Sequence, residues 1–270
     1  MGNECPKRLK DSLVAEEPFT LTWQGTDGIA DRLGSTMRTP GDDLALAAGM
    51  LFAEGALQSL GELQILSFCS GGGVNELNRL KAELKIQGQL VNQRLNHKPS
   101  AALPQSSCGI CSVDNLSNPG VLLNWAAERG RGLACEPEVA TLHKALDILQ
   151  SDCPLFLKTG ASHACIVVGE AGESLSIGED VGRHNACDKA LGKLFLETLN
   201  PENFFQLPAK SGLLFSSRLS FELASKAVAA GASWMASVGA PTHLAVELAQ
   251  KCGLSLYGFL SKERFNQYSP

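Results

Sequence analysis

The chain has 270 residues, a formal net charge of −5, 44% hydrophobic and 19% charged residues, which with 27 Gly and 12 Pro excludes a disordered or collagen-like polymer. This length fits one large domain or two small ones, and the mild acidity offers no general attraction for nucleic acid or an anionic membrane. No stretch nears the roughly 18 unbroken apolar residues of a spanning helix, and Met1 to Arg8 has no apolar segment behind its charges, so a cytoplasmic protein is expected.

Residues 1–17 carry no period and read as a loose arm. Pro18 to Trp23 and Gly28 to Met37 read as extended segments. Asp42-Asp43 opens an apolar run to Leu57, and the acidic pair suits a helix N-terminus, so 42–57 is expected as a buried helix. Leu63 to Phe68 reads as a short strand closed by Ser70-Gly71-Gly72-Gly73. Leu80, Ala82, Leu84 and Ile86 alternate with Lys81, Glu83, Lys85 and Gln87, which predicts a half-exposed strand. Residues 92–120 hold loop chemistry: Asn96-His97-Lys98-Pro99, Pro104, Asn118-Pro119-Gly120.

From residue 136 the pattern changes to alternating elements. Helices are expected over Val139–Leu149, His184–Leu199, Ser220–Ala230 and Thr242–Lys251. Strands are expected over Ala164–Val168, Gly212–Phe215, Trp234–Val238 and, as the last one, Leu254–Phe259. Such alternation predicts parallel pairing with helix-covered faces. The expected organisation is an arm (1–17), an N-terminal α+β part (18–135) containing the loop, and a C-terminal α/β domain (136–270).

Nine cysteines, an odd number spread over the chain, make poor material for a secreted disulfide framework. Most read as small buried hydrophobes. Cys108 and Cys111 are the one close pair, in Ser106-Ser107-Cys108-Gly109-Ile110-Cys111. Two thiols three apart in a Gly-containing loop suit relay of sulfur or electrons. Half of a zinc knuckle is the competing reading. A structural site needs about four ligands, and His163-Ala164-Cys165 and His184-Asn185-Ala186-Cys187 are the segments that could complete it.

Five further segments attract attention. Lys158-Thr159-Gly160-Ala161-Ser162-His163 is a Gly-containing loop before a strand, and its backbone N–H groups could face a phosphate. Gly178-Glu179-Asp180-Val181-Gly182-Arg183-His184-Asn185 packs two carboxylates, Arg, His and Asn just before a helix, where an anion is favoured. Ser216-Ser217-Arg218-Leu219-Ser220 and Val238-Gly239-Ala240-Pro241-Thr242 follow strands, the usual place for ligands in open parallel sheets. Neither has the Rossmann or P-loop glycine spacing. The end, Gly258 to Tyr268, carries Lys262 and Arg264 near aromatics and by itself reads as a solvated terminus.

The order of these motifs resembles the formate dehydrogenase accessory sulfurtransferase family, FdhD. The resemblance runs from Met37-Arg38-Thr39-Pro40-Gly41-Asp42 and Phe52-Ala53-Glu54-Gly55 through the Cys108 loop, Thr159-Gly160 with His163, Gly178 to Ala186, Ser217 to Glu222 and Gly239 to Thr242. It ends at Gly258-Phe259 with Arg264-Phe265-Asn266, and so covers about residues 18–268. Ser112 and the Ser216-Ser217-Arg218 triplet depart from the family's usual glycines. The resemblance implies a cytidine-deaminase-like α/β sandwich with the smaller N-terminal α+β part. It implies a sulfurtransferase that takes sulfur from a cysteine desulfurase as a persulfide. That sulfur goes to the molybdenum cofactor, as Mo-bis(molybdopterin guanine dinucleotide), before the cofactor enters formate dehydrogenase.

Carried over by position, Cys108 bears the persulfide and Cys111 assists or relays. Phe259, Leu260, Ser261, Lys262, Glu263 and Arg264 bind the cofactor. Its guanine and phosphate ends lie against the loops that hold Thr159, His163, Arg183, Ser217, Arg218 and Thr242. Zinc deaminase chemistry is not expected, because Cys165 stands where the H-x-E motif needs Glu and the C-x-x-C lies upstream. No structural metal, nucleic acid or membrane partner is expected, and the reading allows a homodimer. The alternative is a cofactor-binding chaperone that moves no sulfur.

Overall fold

The computed structural model describes residues 11–69, 78–96, 119–128, 130 and 135–270. Cys108, Cys111, the rest of the expected cysteine loop from 97 to 118, the arm up to residue 10 and the Gly71–Gly73 turn lie outside the described residues.

The N-terminal half builds a four-stranded sheet from β1 (Glu17–Gln24), β2 (Ala30–Arg38), β3 (Leu63–Phe68) and β4 (Arg79–Leu84), in the order β2-β1-β4-β3. Alternation decides its inner face: Phe19, Leu21 and Trp23 of β1 and Leu80, Ala82 and Leu84 of β4 are buried. Between β2 and β3 runs α1 (Asp43–Glu54), with Asp43 in its first turn and Gly55 ending it at φ 84°. After β4 comes α2 (Gly88–Asn96), whose first four residues the sequence reading left without an element and whose remainder it placed in the loop. Its start is capped from far away: Asp27 accepts the N–H of Gly88 at 2.8 Å and of Gln89 at 3.1 Å. Further on, α3 (Pro119–Glu128) opens on a proline expected in a loop, a residue well tolerated in a first helical turn.

The second sheet has six strands in the order β10-β9-β8-β7-β5-β6: β5 (His163–Val168), β6 (Ser174–Asp180), β7 (Gly212–Phe215), β8 (Trp234–Ser237), β9 (Ser255–Gly258) and β10 (Asn266–Ser269). Within this sheet, parallel pairing is confined to β7-β8-β9. β5 runs antiparallel to β6 and β7, and β10 antiparallel to β9. The expected parallel sheet is therefore a mixed one, and β9 is not the last strand. One face is covered by α4 (Val139–Ser151), whose Leu142, Leu146 and Leu149 are buried, followed by α5 (Pro154–Thr159). The other face takes α6 (Arg183–Leu196), α7 (Phe221–Ala229) and α8 (His243–Cys252). Expected to reach Leu199, α6 stops at Leu196 and leaves Leu199 94% exposed. Asn200 precedes Pro201, and a residue before proline disfavours helical geometry.

One apolar cluster runs from β1 and β4 through α1 and α6 to β7, β8 and β9. Its tightest point is the crossing of α1 and α6. A Cβ at Gly192 would collide with the Ala45 carbonyl and lie 2.7 Å from the Gly49 nitrogen, and a Cβ at Gly49 would collide with the Asp188 backbone. Alanine at a helical glycine ordinarily gains up to about 1 kcal/mol. Here Gly192→Ala is expected to cost about 3 kcal/mol by overpacking. Urea unfolding checks this, and an unchanged or raised midpoint would contradict the packing.

Candidate functional site

Among the described residues, the topology gathers the other candidate segments at one edge of the six-stranded sheet. The carboxyl ends of β6, β7, β8 and β9 meet the amino end of β5 there, because β5 is antiparallel to its neighbours and His163 pairs with Asp180. The loops that follow are stitched together by backbone bonds. Ser216 N–H donates to the Ala164 carbonyl (3.0 Å), and the Ser216 Oγ accepts the Ala164 N–H (2.9 Å). Leu219 N–H donates to the Ala240 carbonyl (3.1 Å), Thr242 N–H to the Leu219 carbonyl (2.9 Å) and Phe259 N–H to the Gly239 carbonyl (2.9 Å). Buried Ser237 binds the Ser217 carbonyl and accepts the Gly239 N–H at 2.8 Å, which fixes both loops from below.

Three helices, α6, α7 and α8, start on this edge, from Gly182, Ser220 and Thr242, and none of the three starts has a side-chain cap. Their free N–H groups and dipoles favour negative charge. Arg183 and Arg218 add cations at two of these starts. Ser162 Oγ, Arg183 Nε and Glu222 Oε2 are buried here without a hydrogen bond. Buried polar atoms are nearly always paired; Glu222 Oε2 faces His184 Nε2 at 3.7 Å, which leaves Ser162 Oγ and Arg183 Nε without a partner among the described residues.

The residues singled out from the sequence separate on inspection. His163 lies under the start of α6. Burial, then Arg183 and His184 beside it, push its imidazole below the ordinary value, so it is held neutral. Arg218 is exposed, with no side-chain bond among the described residues, and so is Arg264. Thr242 is exposed at the start of α8. Phe259 stands 46% exposed at the end of β9 with φ 54°, a left-handed conformation that only firm anchoring of its neighbours sustains. That anchoring comes from its own N–H and from Leu260 N–H on the Ser237 carbonyl at 2.9 Å.

Other candidates are engaged within the chain. Thr159 finishes α5, donating to the Leu155 carbonyl at 2.7 Å and accepting the Ala161 N–H at 3.2 Å. Ser217 is buried with its hydroxyl on the Arg218 carbonyl at 3.1 Å. Leu260 is core, 3% exposed. Ser261 accepts the Glu263 and Arg264 N–H groups in a tight turn. Lys262 pairs with Asp147 of α4 at 2.5 Å and donates to the His143 carbonyl.

The two carboxylates of Gly178 to Asn185, read above as candidates for contacting a ligand, are structural. Glu179 accepts the Phe156 N–H (2.7 Å) and the Leu155 N–H (3.3 Å) at the start of α5. Asp180, fully buried, accepts the N–H groups of Thr39 (3.0 Å) and Gly182 (2.8 Å), the amide of Asn185 (3.0 Å) and the Lys189 ammonium (2.8 Å). Lys189 also donates to the Thr39 carbonyl at 2.7 Å, and Val181 N–H donates to the Thr39 hydroxyl. This knot joins the Met37-Arg38-Thr39 segment to the strand-end edge. Lys189 and Glu222 were not among the predicted site residues, and Ser216 was marked only as part of its post-strand segment. For Lys189 a charged residue on the apolar side of a helix was the available signal.

Among the described cysteines, Cys153, Cys165 and Cys187 are buried. Burial, with Glu179 and Asp152 nearby, pushes the Cys153 thiol up to about 12. Cys165 is held well above the ordinary value by burial and by its contact with Cys187, and Cys252 is raised by burial. Thiols so shifted are poor nucleophiles at neutral pH. No helix among the described residues is long and apolar enough to cross a membrane.

The architecture is mixed α/β, with cationic groups and open helix starts on one sheet edge that favour negative charge. The chain matches the model of the FdhD/NarQ family over residues 14–270, and it belongs to that family. It is 38% identical to the sulfur carrier protein FdhD of Streptomyces avermitilis over 269 residues, covering 96% of this chain and 87% of the relative. Proteins of the same name from Anaeromyxobacter sp. strain K and Thermoplasma acidophilum are 36% and 34% identical, covering 97% and 96% of this chain and 88% and 85% of theirs. A crystal structure from Desulfotalea psychrophila, described as a candidate formate dehydrogenase accessory protein, shares the fold with a TM-score of 0.66. It is 22% identical and is matched over 96% of this chain and 89% of its own.

Proposed function

We propose that this protein is a cytoplasmic sulfurtransferase that carries sulfur to the molybdenum cofactor before formate dehydrogenase receives it. The observation that carries the reading is membership of a family whose relatives, at 34–38% identity over nearly the whole chain, are named sulfur carrier proteins. The Cys108-Gly109-Ile110-Cys111 pair supplies the chemistry, and the acidic thiols this chemistry needs are not found at Cys153, Cys165 or Cys252. The Cys108 thiolate attacks the outer sulfur of a persulfide on a cysteine desulfurase. The new S–S bond forms as the donor's S–S bond breaks, and the donor cysteine leaves as thiolate, so no oxidant enters. Cys111 assists or relays. The substrate, Mo-bis(molybdopterin guanine dinucleotide), sits on the strand-end edge with its phosphates toward the starts of α6, α7 and α8.

The direct test is intact mass after incubation with a desulfurase and cysteine. A reductant-sensitive gain of about 32 Da, one sulfur atom, is expected on Cys108. If Cys108→Ala protein gains the same mass on Cys111 and still activates formate dehydrogenase, the assignment of roles is wrong.

For the edge itself, calorimetry with a guanine nucleotide as a fragment of the cofactor is informative. Arg218→Ala and Arg264→Ala are each expected to weaken binding by about 1.5–3 kcal/mol if the guanidinium meets phosphate. Lys262→Ala serves as the comparison, since its ammonium is already paired with Asp147. Equal affinity for guanine and adenine nucleotides, unaffected by either arginine, would remove the pocket from the proposal.

A further inference from the structure

The starts of α6 and α7 lie side by side and are joined by two charge pairs one helical turn apart. His184 and Asp188 are four residues apart on α6, Glu222 and Lys226 four apart on α7, so each pair shares a helix face. The inner rung joins Lys226 Nζ to Asp188 Oδ1 at 2.5 Å, with side chains 10% and 4% exposed. Burial pulls the Lys226 ammonium down, but Asp188 and then Glu54 of α1 push it up further, so it stays charged. The outer rung, at the mouth of the strand-end edge, sets His184 Nε2 3.7 Å from Glu222 Oε2 and 3.4 Å from Ser220 Oγ.

The outer rung differs from the inner one in being open on one side. His184 Nε2 is turned to α7, so Nδ1, on the other side of the ring, is left without a bond among the described residues. Around the imidazole stand Arg183 and Asp188 of its own helix, Glu222 of α7 and His163 of β5, and Asp188 in turn holds Lys226 of α7. Glu222 Oε2 is buried without a hydrogen bond. Burial would raise this carboxyl, yet His184 and Ser220 outweigh it and keep the carboxylate below the usual range. With Nε2 facing Glu222 and Ser220, a proton on Nδ1 makes that nitrogen a donor on the open side of the ring. With Arg183 and two open helix starts adjoining it, what such a donor lacks is an anionic oxygen.

We infer that Glu222 is a positioning residue which seats His184 between the starts of α6 and α7, and that the seated imidazole binds an anionic oxygen of the ligand through Nδ1. The inference rests on the strand-end edge being the ligand site. It adds a residue that contacts the ligand and the residue through which that contact depends on α7.

Calorimetry with guanosine diphosphate on the full chain tests it. His184→Gln and Glu222→Gln are each expected to weaken binding about tenfold. The double variant should lose little more than either one, because Glu222 acts through His184. Affinity for uncharged guanosine and the urea midpoint should stay put, which a general loosening of α6 and α7 would not allow. Glu247→Gln is the control, since its partner His243 is 85% exposed at the start of α8. If the parent protein does not bind the diphosphate at all, the reading of the edge falls and the inference falls with it. If the parent binds and Glu222→Gln binds equally well, or the two losses simply add, the positioning role alone is overturned.

Discussion

Cys108→Ser protein should bind a guanine nucleotide as the parent does, yet leave formate dehydrogenase inactive in cells lacking the native protein. Serine fills nearly the same volume as cysteine, so a cysteine that merely gates the site would tolerate the exchange. A hydroxyl cannot hold a transferable sulfane sulfur, so a cysteine that carries sulfur cannot tolerate it. Binding retained with activity gone separates a sulfur carrier from a chaperone that only delivers cofactor. Full formate dehydrogenase activity with Cys108→Ser would refute the carrier reading and leave the chaperone. The same experiment on Cys111 is the natural companion, since a relay thiol should slow transfer where a carrier thiol abolishes it.

The second large effect concerns stability. Asp180→Ala removes the carboxylate that compensates Lys189, 2% exposed, and abandons three further donors at Thr39, Gly182 and Asn185. Removing one partner of a buried charge pair leaves the other uncompensated, at a cost of about 3–5 kcal/mol. That is a large share of the 5–15 kcal/mol typical of a folded domain. Urea unfolding at neutral pH should show the loss directly. A residue that reads ligand would behave oppositely, losing affinity with its midpoint kept. A midpoint shifted by less than about 0.5 kcal/mol would return Asp180 to the list of ligand contacts.

Where the reading of the sequence succeeded, the information was local. β4 shows strict alternation of Leu80, Ala82 and Leu84 with charged neighbours. α1 combines an acidic start, an apolar run and a terminating glycine, and α4 repeats Leu142, Leu146 and Leu149 on one side. β6 was legible and overlooked: Ser176, Gly178 and Asp180 are its buried alternate positions, but their small or charged side chains conceal the period. α2 was not legible. Little of it is buried, its composition is polar, and its start is capped by Asp27, some sixty residues earlier. A cap supplied from a distant turn leaves no trace in the segment it caps.

The site divides along the same line. Composition, motif order and spacing by themselves marked the cysteine pair, the glycine- and serine-bearing loops after the strands, and the family resemblance, because these are properties of short segments. The tertiary structure alone decided which side chains in those loops face outward. Arg218 and Arg264 are free among the described residues, whereas Glu179, Asp180, Ser217 and Lys262 serve the fold. Whether a carboxylate contacts a ligand or holds a backbone depends on the donors opposite it. For Asp180 those donors include Thr39, 141 residues away in the chain. The antiparallel entry of β5 was equally hidden from sequence, yet it is what brings His163 to the edge where β6, β7, β8 and β9 end. Strand direction follows from which neighbours bury the strand's faces, and that is settled only when the whole sheet packs.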